Sequence, residues 1–270
     1  MILNKITILF IVIIAACSNT PNNKVTKQLS LSQIPTKEEA RILNRHKLDY
    51  HLFINKDGQI DYSTNVIRDK MKGDSLPKKL VPIINTVEQG LFEEIYDKDE
   101  DVQTNLKIND GWIIGFDRGE WSGYLYWFSE DGKKNEEIIN RNIVSLHLID
   151  NEIFGFEGRL GNGGSFFKAK KENSEWITEE ILKLNEAPLA VTRYNENEFL
   201  IATITTFSQI IKSNNRYKIK PIIENGFWSD GVYPYSIVTD EKDIYVGMRA
   251  GILRVNQKNT KLLKWYVDKE

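Results

Sequence analysis

Three carboxylates, Asp117, Glu120 and Glu157, stand in short polar stretches between apolar runs: Asp117-Arg118-Gly119-Glu120-Trp121-Ser122-Gly123 and Glu157-Gly158-Arg159-Leu160-Gly161-Asn162-Gly163-Gly164. Brought together, they could work as general acid and base or offer hard oxygen ligands to a divalent cation. Arg118, Arg159 and Arg249 are of the type that clamps an anionic group through paired N–H donors. Trp121, Trp228, Tyr233 and Tyr235, with Asp230 beside them, could stack on a sugar ring or a peptide side chain. A plainer arrangement has these charges paired with one another to fasten neighbouring sheets, and half of the aromatic set buried in the core.

Other chemistries lack their signatures. His46, His51 and His147 are scattered and show no metal-ligand spacing, and no Gly-x-Ser-x-Gly elbow occurs. The run Gly161-Asn162-Gly163-Gly164 is followed by neither Lys-Ser/Thr nor a helix start, so it reads as a flexible turn and not a phosphate cradle. Asp97-Lys98-Asp99-Glu100-Asp101 lacks the glycine and distant glutamate of an EF-hand and reads as a solvated loop. No cofactor and no metal are expected.

The elements that must position the candidate residues recur. From Leu106 onward a pattern repeats at roughly 40 to 47 residues, the spacing of four-stranded propeller blades. Each unit has an apolar run containing one small residue: Trp112-Ile113-Ile114-Gly115-Phe116, Ile153-Phe154-Gly155-Phe156, Phe199-Leu200-Ile201-Ala202-Thr203 and Ile244-Tyr245-Val246-Gly247-Met248. A Gly or Ala at that point allows close approach of neighbouring backbones. A turn rich in Asp, Asn or Glu precedes each run, and weaker strands follow it. The expected fold is therefore all-β, with four propeller-like units of four short strands and an open β-sandwich as the alternative. In such units the loop between second and third strands lies at the same end as the loop joining successive units. That end collects the segments around Asp117, Glu157, Thr205 and Arg249, and adds 225–234 with Trp228, Asp230 and Tyr233.

Before the repeats, residues 31–105 read as a mixed segment. Thr36 precedes an acidic turn and is expected to cap a short helix. The Asn55-Lys56-Asp57-Gly58 turn predicts a hairpin near residues 50–62, which could add a further unit or complete the last one. Leu80 to Tyr96 is partly helical in pattern, with Pro82 and Gly90 as expected breaks. The segments 115–123, 233–236 and 245–251 resemble those of bacterial proteins with propeller-like domains; the resemblance spans about the last 160 residues and implies a fold without a function.

At the N-terminus, the apolar run Ile6 to Ile14 follows Lys5 and is too short for a bilayer, which wants about 20 residues. It ends in Ala15-Ala16-Cys17, with Cys17 the sole cysteine, so no disulfide framework exists. Ala15-Ala16-Cys17 resembles the lipobox of bacterial lipoproteins, which implies a diacylglyceryl group on Cys17 and cleavage just before it. The resemblance makes 1–16 a signal peptide and 17–30 a lipidated cysteine with a polar tether, and leaves 106–270 as the repeat domain. Ser18 after the cysteine resembles the default for outer-membrane sorting in Gram-negative cells.

The 36 Lys and Arg against 38 Asp and Glu leave no basic stripe, which excludes the usual nucleic-acid footprint. The function expected is a binding or interaction module, held at the membrane through lipid on Cys17, that meets a protein or cell-envelope ligand with its loop end. The alternative is an enzyme on envelope glycans or peptides that uses the loop carboxylates.

Overall fold

The computed structural model describes residues 25, 28–45, 48–64, 76–91, 102–117, 123–214 and 216–268, with the backbone alone for 88–91, 102, 103 and 117. Cys17 and its apolar leader, His46, the 97–101 run, and Arg118, Glu120 and Trp121 lie outside the described residues.

In chain order the elements begin with β1 (Ser30–Ser32), α1 (Lys37–Leu43), β2 (His51–Ile54), β3 (Ile60–Ser63) and α2 (Val81–Leu91). A first sheet follows from β4 (Val102–Ile108), β5 (Gly111–Asp117), β6 (Gly123–Ser129) and β7 (Asn135–Ile139), and a second from β8 (Ile143–Ile149), β9 (Glu152–Arg159), β10 (Gly163–Glu172) and β11 (Glu175–Leu184). The third holds β12 (Ala190–Asn195), β13 (Glu198–Ala202), β14 (Phe207–Ser213) and β15 (Arg216–Ile223). After the 3-10 turn Phe227–Asp230, the fourth holds β16 (Pro234–Thr239), β17 (Asp243–Met248), β18 (Gly251–Asn256) and β19 (Leu263–Val267). Within each of these four sets the strands form an antiparallel meander in chain order. The fold is all-β with two short helices, and no closed barrel forms among the described residues.

The four units expected from the repeat are present, the first beginning at Val102. Their turns are chemically apt: Asp150 and Asn151 (φ 52° and 63°) and Asn173 and Ser174 (φ 51° and 72°) adopt left-handed backbone, which a two-residue hairpin turn matching strand twist requires. The predicted hairpin is β2–β3, a separate two-stranded sheet, while β1 adds itself to β19 as a fifth strand of the last sheet. Thr36 caps α1 as expected and forms a full capping box: Glu39 N donates to Thr36 Oγ1 (3.2 Å), and Thr36 N donates to Glu39 Oε2 (2.8 Å). Pro82 does not break α2, because it sits in the first turn, where its missing N–H has no intrahelical partner to lose.

The layers stack in chain order through period-2 alternation. Trp112, Ile114 and Phe116 of β5 turn towards α2, against Leu80 and Ile84, while Ile113 turns the other way, against Ile143 and Phe167 of the second sheet. Phe154, Phe156 and Phe166 meet Phe199 and Ile201 between second and third sheets. Leu200 and Ala202 meet Val246 and Met248 between third and fourth. Tyr245, Ile252 and Tyr266 close on Tyr50, Leu52 and Ile60 of the hairpin segment. The sheets thus form four successive layers, bounded by α2 on one side and β2–β3 on the other, where a sandwich would have two. First strands lie nearest one another: β8 packs on β4 and β5, β12 on β8, β16 on β12 and β2 on β16.

The small residues serve two purposes. At Gly247 a Cβ would overlap the carbonyl oxygen of Tyr50, so glycine there permits the backbone approach the sequence implied. At Gly155 the space is taken by the ring of Phe167, its cross-strand partner in the same sheet. That glycine seats a side chain and no backbone.

Candidate functional site

In an up-down meander the β5–β6, β9–β10, β13–β14 and β17–β18 loops share one end with the connections between sheets. Three polar clusters of described residues occupy that end. Two are built by a loop and a neighbouring connection, and one by a turn closing on the early segment before β2.

The first centres on Arg249, in the turn between β17 and β18, where Ala250 holds a left-handed φ of 66°. The segment before β2 runs antiparallel to this turn: Tyr50 N donates to Met248 O (3.1 Å) and Ala250 N donates to Leu48 O (2.9 Å), with Asp49 and Arg249 bridged. This brings three acceptors to one guanidinium. Arg249 Nε donates to Asp49 Oδ1 (3.0 Å), Nη1 to Asn44 Oδ1 (2.6 Å) and Nη2 to the Tyr235 hydroxyl (2.8 Å). Burial and the nearby Asp49 charge push the Tyr235 phenol up to about 12. Its ring lies 5.2 Å from that of His51, whose two ring nitrogens are buried without a hydrogen-bond partner. Burial holds the His51 imidazole below its usual value, against the pull of Asp49.

Glu157 anchors the second cluster. Its Oε1 accepts from Arg141 Nη1 (3.0 Å), on the connection between first and second sheets, and from Ser165 Oγ (2.6 Å), its cross-strand neighbour on β10. The carboxylate is only 12% exposed and therefore spoken for. Arg159, two residues on, is exposed at the strand end and does not share this pair.

The third cluster was not legible in the carboxylate pattern. Glu186, between β11 and β12, accepts from the hydroxyls of Thr203 and Thr205 and from Thr205 N (3.0 Å). Burial pushes Glu186 up, but these hydrogen bonds outweigh it and hold the carboxyl below its usual range. Three threonines in one short loop, at 203, 205 and 206, were the available signal. Trp228 completes the cluster by donating Nε1–H to Thr203 O (3.0 Å).

That bond corrects one expectation. Trp228 is wholly buried between the third and fourth sheets, so it cannot offer a ring face to a ligand; its hydrophobic payload and satisfied N–H make it a wedge of the core. Asp230, at the end of the same 3-10 turn, pairs with Arg41 of α1 (3.1 Å). Tyr233 is half-buried and accepts Arg249 N at its backbone oxygen (3.1 Å). The structure therefore joins Tyr233, Tyr235 and Arg249 in one cluster and keeps Glu157 in another. The backbone of Asp117 pairs with Gly123 and Val102 at the end of β5.

Beside the Arg249 cluster opens a groove of about 1220 Å³. One wall is β1 with the end of β19, and the other is the face of α1 that carries Glu39, Ile42 and Leu43. Leu48, Tyr50 and Ala250 close it towards the loop end. Among the described residues no group of three His, Cys, Asp or Glu is placed to hold a metal ion. No described helix is long and apolar enough to cross a membrane.

No protein-family model matches the chain, and no curated protein does. Among solved structures 147 chains match. One comes from an S. cerevisiae assembly described as a dbp5 variant bound to nup159, a gle1 variant, ip6 and adp, at a TM-score of 0.40 and 8% identity. The match covers 69% of this chain and 54% of that one, so this chain spans about half the length of the structure it resembles. A likeness of that degree says nothing of function.

Proposed function

We propose that this chain is a bacterial lipoprotein, tethered through lipid on Cys17, whose four sheets are the blades of a propeller-like ring that presents its loop end to a protein or cell-envelope ligand. The hairpin β2–β3 and helix α2 take the two outer faces of the stack, where further blades would otherwise pack. The observation that carries the binding reading is the state of the charges at the loop end. Glu157 is paired with Arg141, Asp230 with Arg41 and Asp49 with Arg249. Carboxylates so engaged make a pre-ordered polar surface, which favours recognition over acid–base turnover. The lipid reading draws on the Ala15-Ala16-Cys17 pattern, and several acyl chains, at about 0.8 kcal/mol per buried methylene, suffice for stable anchoring.

The test is mild crosslinking of the tagged protein in its native membranes, followed by purification and mass spectrometry, with Cys17→Ala and Arg159→Glu variants alongside. Arg159 is a cleaner probe than Arg249, whose donors already serve three groups of the chain itself. A specific partner retained by the wild type and lost with Arg159→Glu is the expected result. Recovery of no partner above the untagged control rejects the module reading. Cys17→Ala is expected to move the chain out of the membrane fraction; its retention there rejects the lipid anchor.

A further inference from the structure

The groove beside Arg249 has a particular chemistry. Its floor includes the buried Trp265 and Tyr50, and its rim holds Leu31, Ile42 and Leu48, which are 61%, 62% and 40% exposed. Leu31 and Ile42 are the two most exposed of the large apolar side chains described. A soluble surface ordinarily covers such side chains or scatters them singly, and these converge on one concavity. Among the described residues the charges are one-sided: Glu39 and Asp268 line the groove, and no described Lys or Arg does.

The third property is in the backbone. Among the described residues β1 is the edge strand of the five-stranded sheet, paired with β19 on one side and with no described strand on the other. Ser30, Leu31 and Ser32 all line the groove, as do Trp265 and Val267, the β19 partners of Ser32 and Ser30. The concavity therefore lies beside β1, between the β1–β19 pair and α1. An edge strand offers its outward N–H and C=O groups to any extended chain laid beside it, and adjacent pockets then select the side chains.

We propose that this groove binds an extended peptide segment of alternating apolar and basic residues, which adds as a strand to the outer edge of β1. Its apolar side chains lie against Leu31, Ile42, Leu48 and Trp265, and its cations meet Glu39 and Asp268. The proposal rests on the reading of the chain as a binding module and names the class of ligand that module takes.

The test measures fluorescence anisotropy of a labelled peptide of alternating valine and lysine with the purified full chain. Two analogues accompany it, one with glutamate for lysine and one with a central proline that cannot complete a strand ladder. The parent peptide is expected to bind, and each analogue to bind about tenfold more weakly or worse. Ile42→Arg and Leu31→Arg, at exposed positions, are expected to abolish binding while circular dichroism stays unchanged. Ile219→Arg, on the outer strand β15, is expected to leave it intact. Equal binding of the proline analogue, or full binding to Ile42→Arg, overturns the proposal. So does displacement of the peptide by phosphatidylglycerol vesicles that themselves take up the protein, which makes the groove a lipid site. Absence of peptide binding while a crosslinked partner still depends on Arg159 overturns the peptide proposal alone and leaves the module reading standing.

Discussion

His147 lies on β8 with its ring 5.0 Å from Phe199 of the next sheet and 6.1 Å from Phe156, and Nε2 is 3.1 Å from Ser145 Oγ. Burial between these rings, with the Arg193 cation adding to it, pushes the imidazole down from 6.5 to about 4. The folded chain thus holds the neutral ring, and the stability this contributes is full above pH 6.5 and is lost as pH falls from there towards 4. By pH 5 the loss from this ring is roughly 2 kcal/mol, and burial of His51 adds to it in the same direction. Urea titrations at pH 7, 6 and 5 are expected to show a falling midpoint, and His147→Gln to flatten the slope; equal slopes would show that the ring is accessible to protons. A second residue-scale case is Asp243, 3% exposed, which accepts from Arg254 and from Asn256 Nδ2 (3.1 Å). Arg254→Met leaves that carboxylate buried without its cation and is expected to cost about 3–5 kcal/mol in urea unfolding. Adding Asp243→Leu is expected to recover most of the loss, because the stranded charge goes with it. That His147 is structural was readable from its place in an apolar strand. The burial of Trp228 was not, since nothing local tells an aromatic on a loop from one that a loop tucks inward.

At the scale of elements, α1 has only seven residues, too few to hold a helix alone in water. Its capping box and Ala40, buried with Trp228 and Val232, hold it to the 3-10 turn. Thr36→Ala removes the acceptor for Glu39 N and is expected to cost about 1 kcal/mol, seen as faster amide exchange in α1 before any change in the sheets. An unchanged exchange rate in α1 would mean that packing alone keeps the helix. The cap was legible because Thr followed three residues later by Glu is a purely local signature. The apolar second and third strands of the four sheets were legible for the same reason: each run is bounded by turn residues within a few positions. Two elements escaped that logic. The β1 strand pairs with β19, more than two hundred residues away, and its three residues carry no period of their own. Pro82 looked like a break because the pattern did not show where the helix begins.

Across the whole molecule, chain order and spatial order agree from α2 through the fourth sheet, and the far end of the stack is then covered by the earlier segment β1 to β3. The fourth sheet is covered by β2–β3 on one face and extended by β1 at its edge, so strands late in the sequence are held by strands more than 180 residues earlier. Such contacts of large sequence separation carry the heaviest loop-closure cost, and they confer stability only once the sheets between them are in place. The same closure builds the Arg249 cluster, because Asn44 and Asp49 come from the early segment and Arg249 and Tyr235 from the late sheet. Leu52 is the test of this coupling. It is 3% exposed between the hairpin and Tyr245, and its backbone N donates to Ser236 Oγ of β16 (2.8 Å). Leu52→Ala is expected to cost about 2–5 kcal/mol. If the hairpin clamps the fourth sheet, hydrogen exchange read by mass spectrometry will quicken in β16 and β17 well before it does in β4 to β7. Uniform quickening through all four sheets would instead show that the layers unfold as one unit, with the hairpin a contributor to global stability and no local clamp.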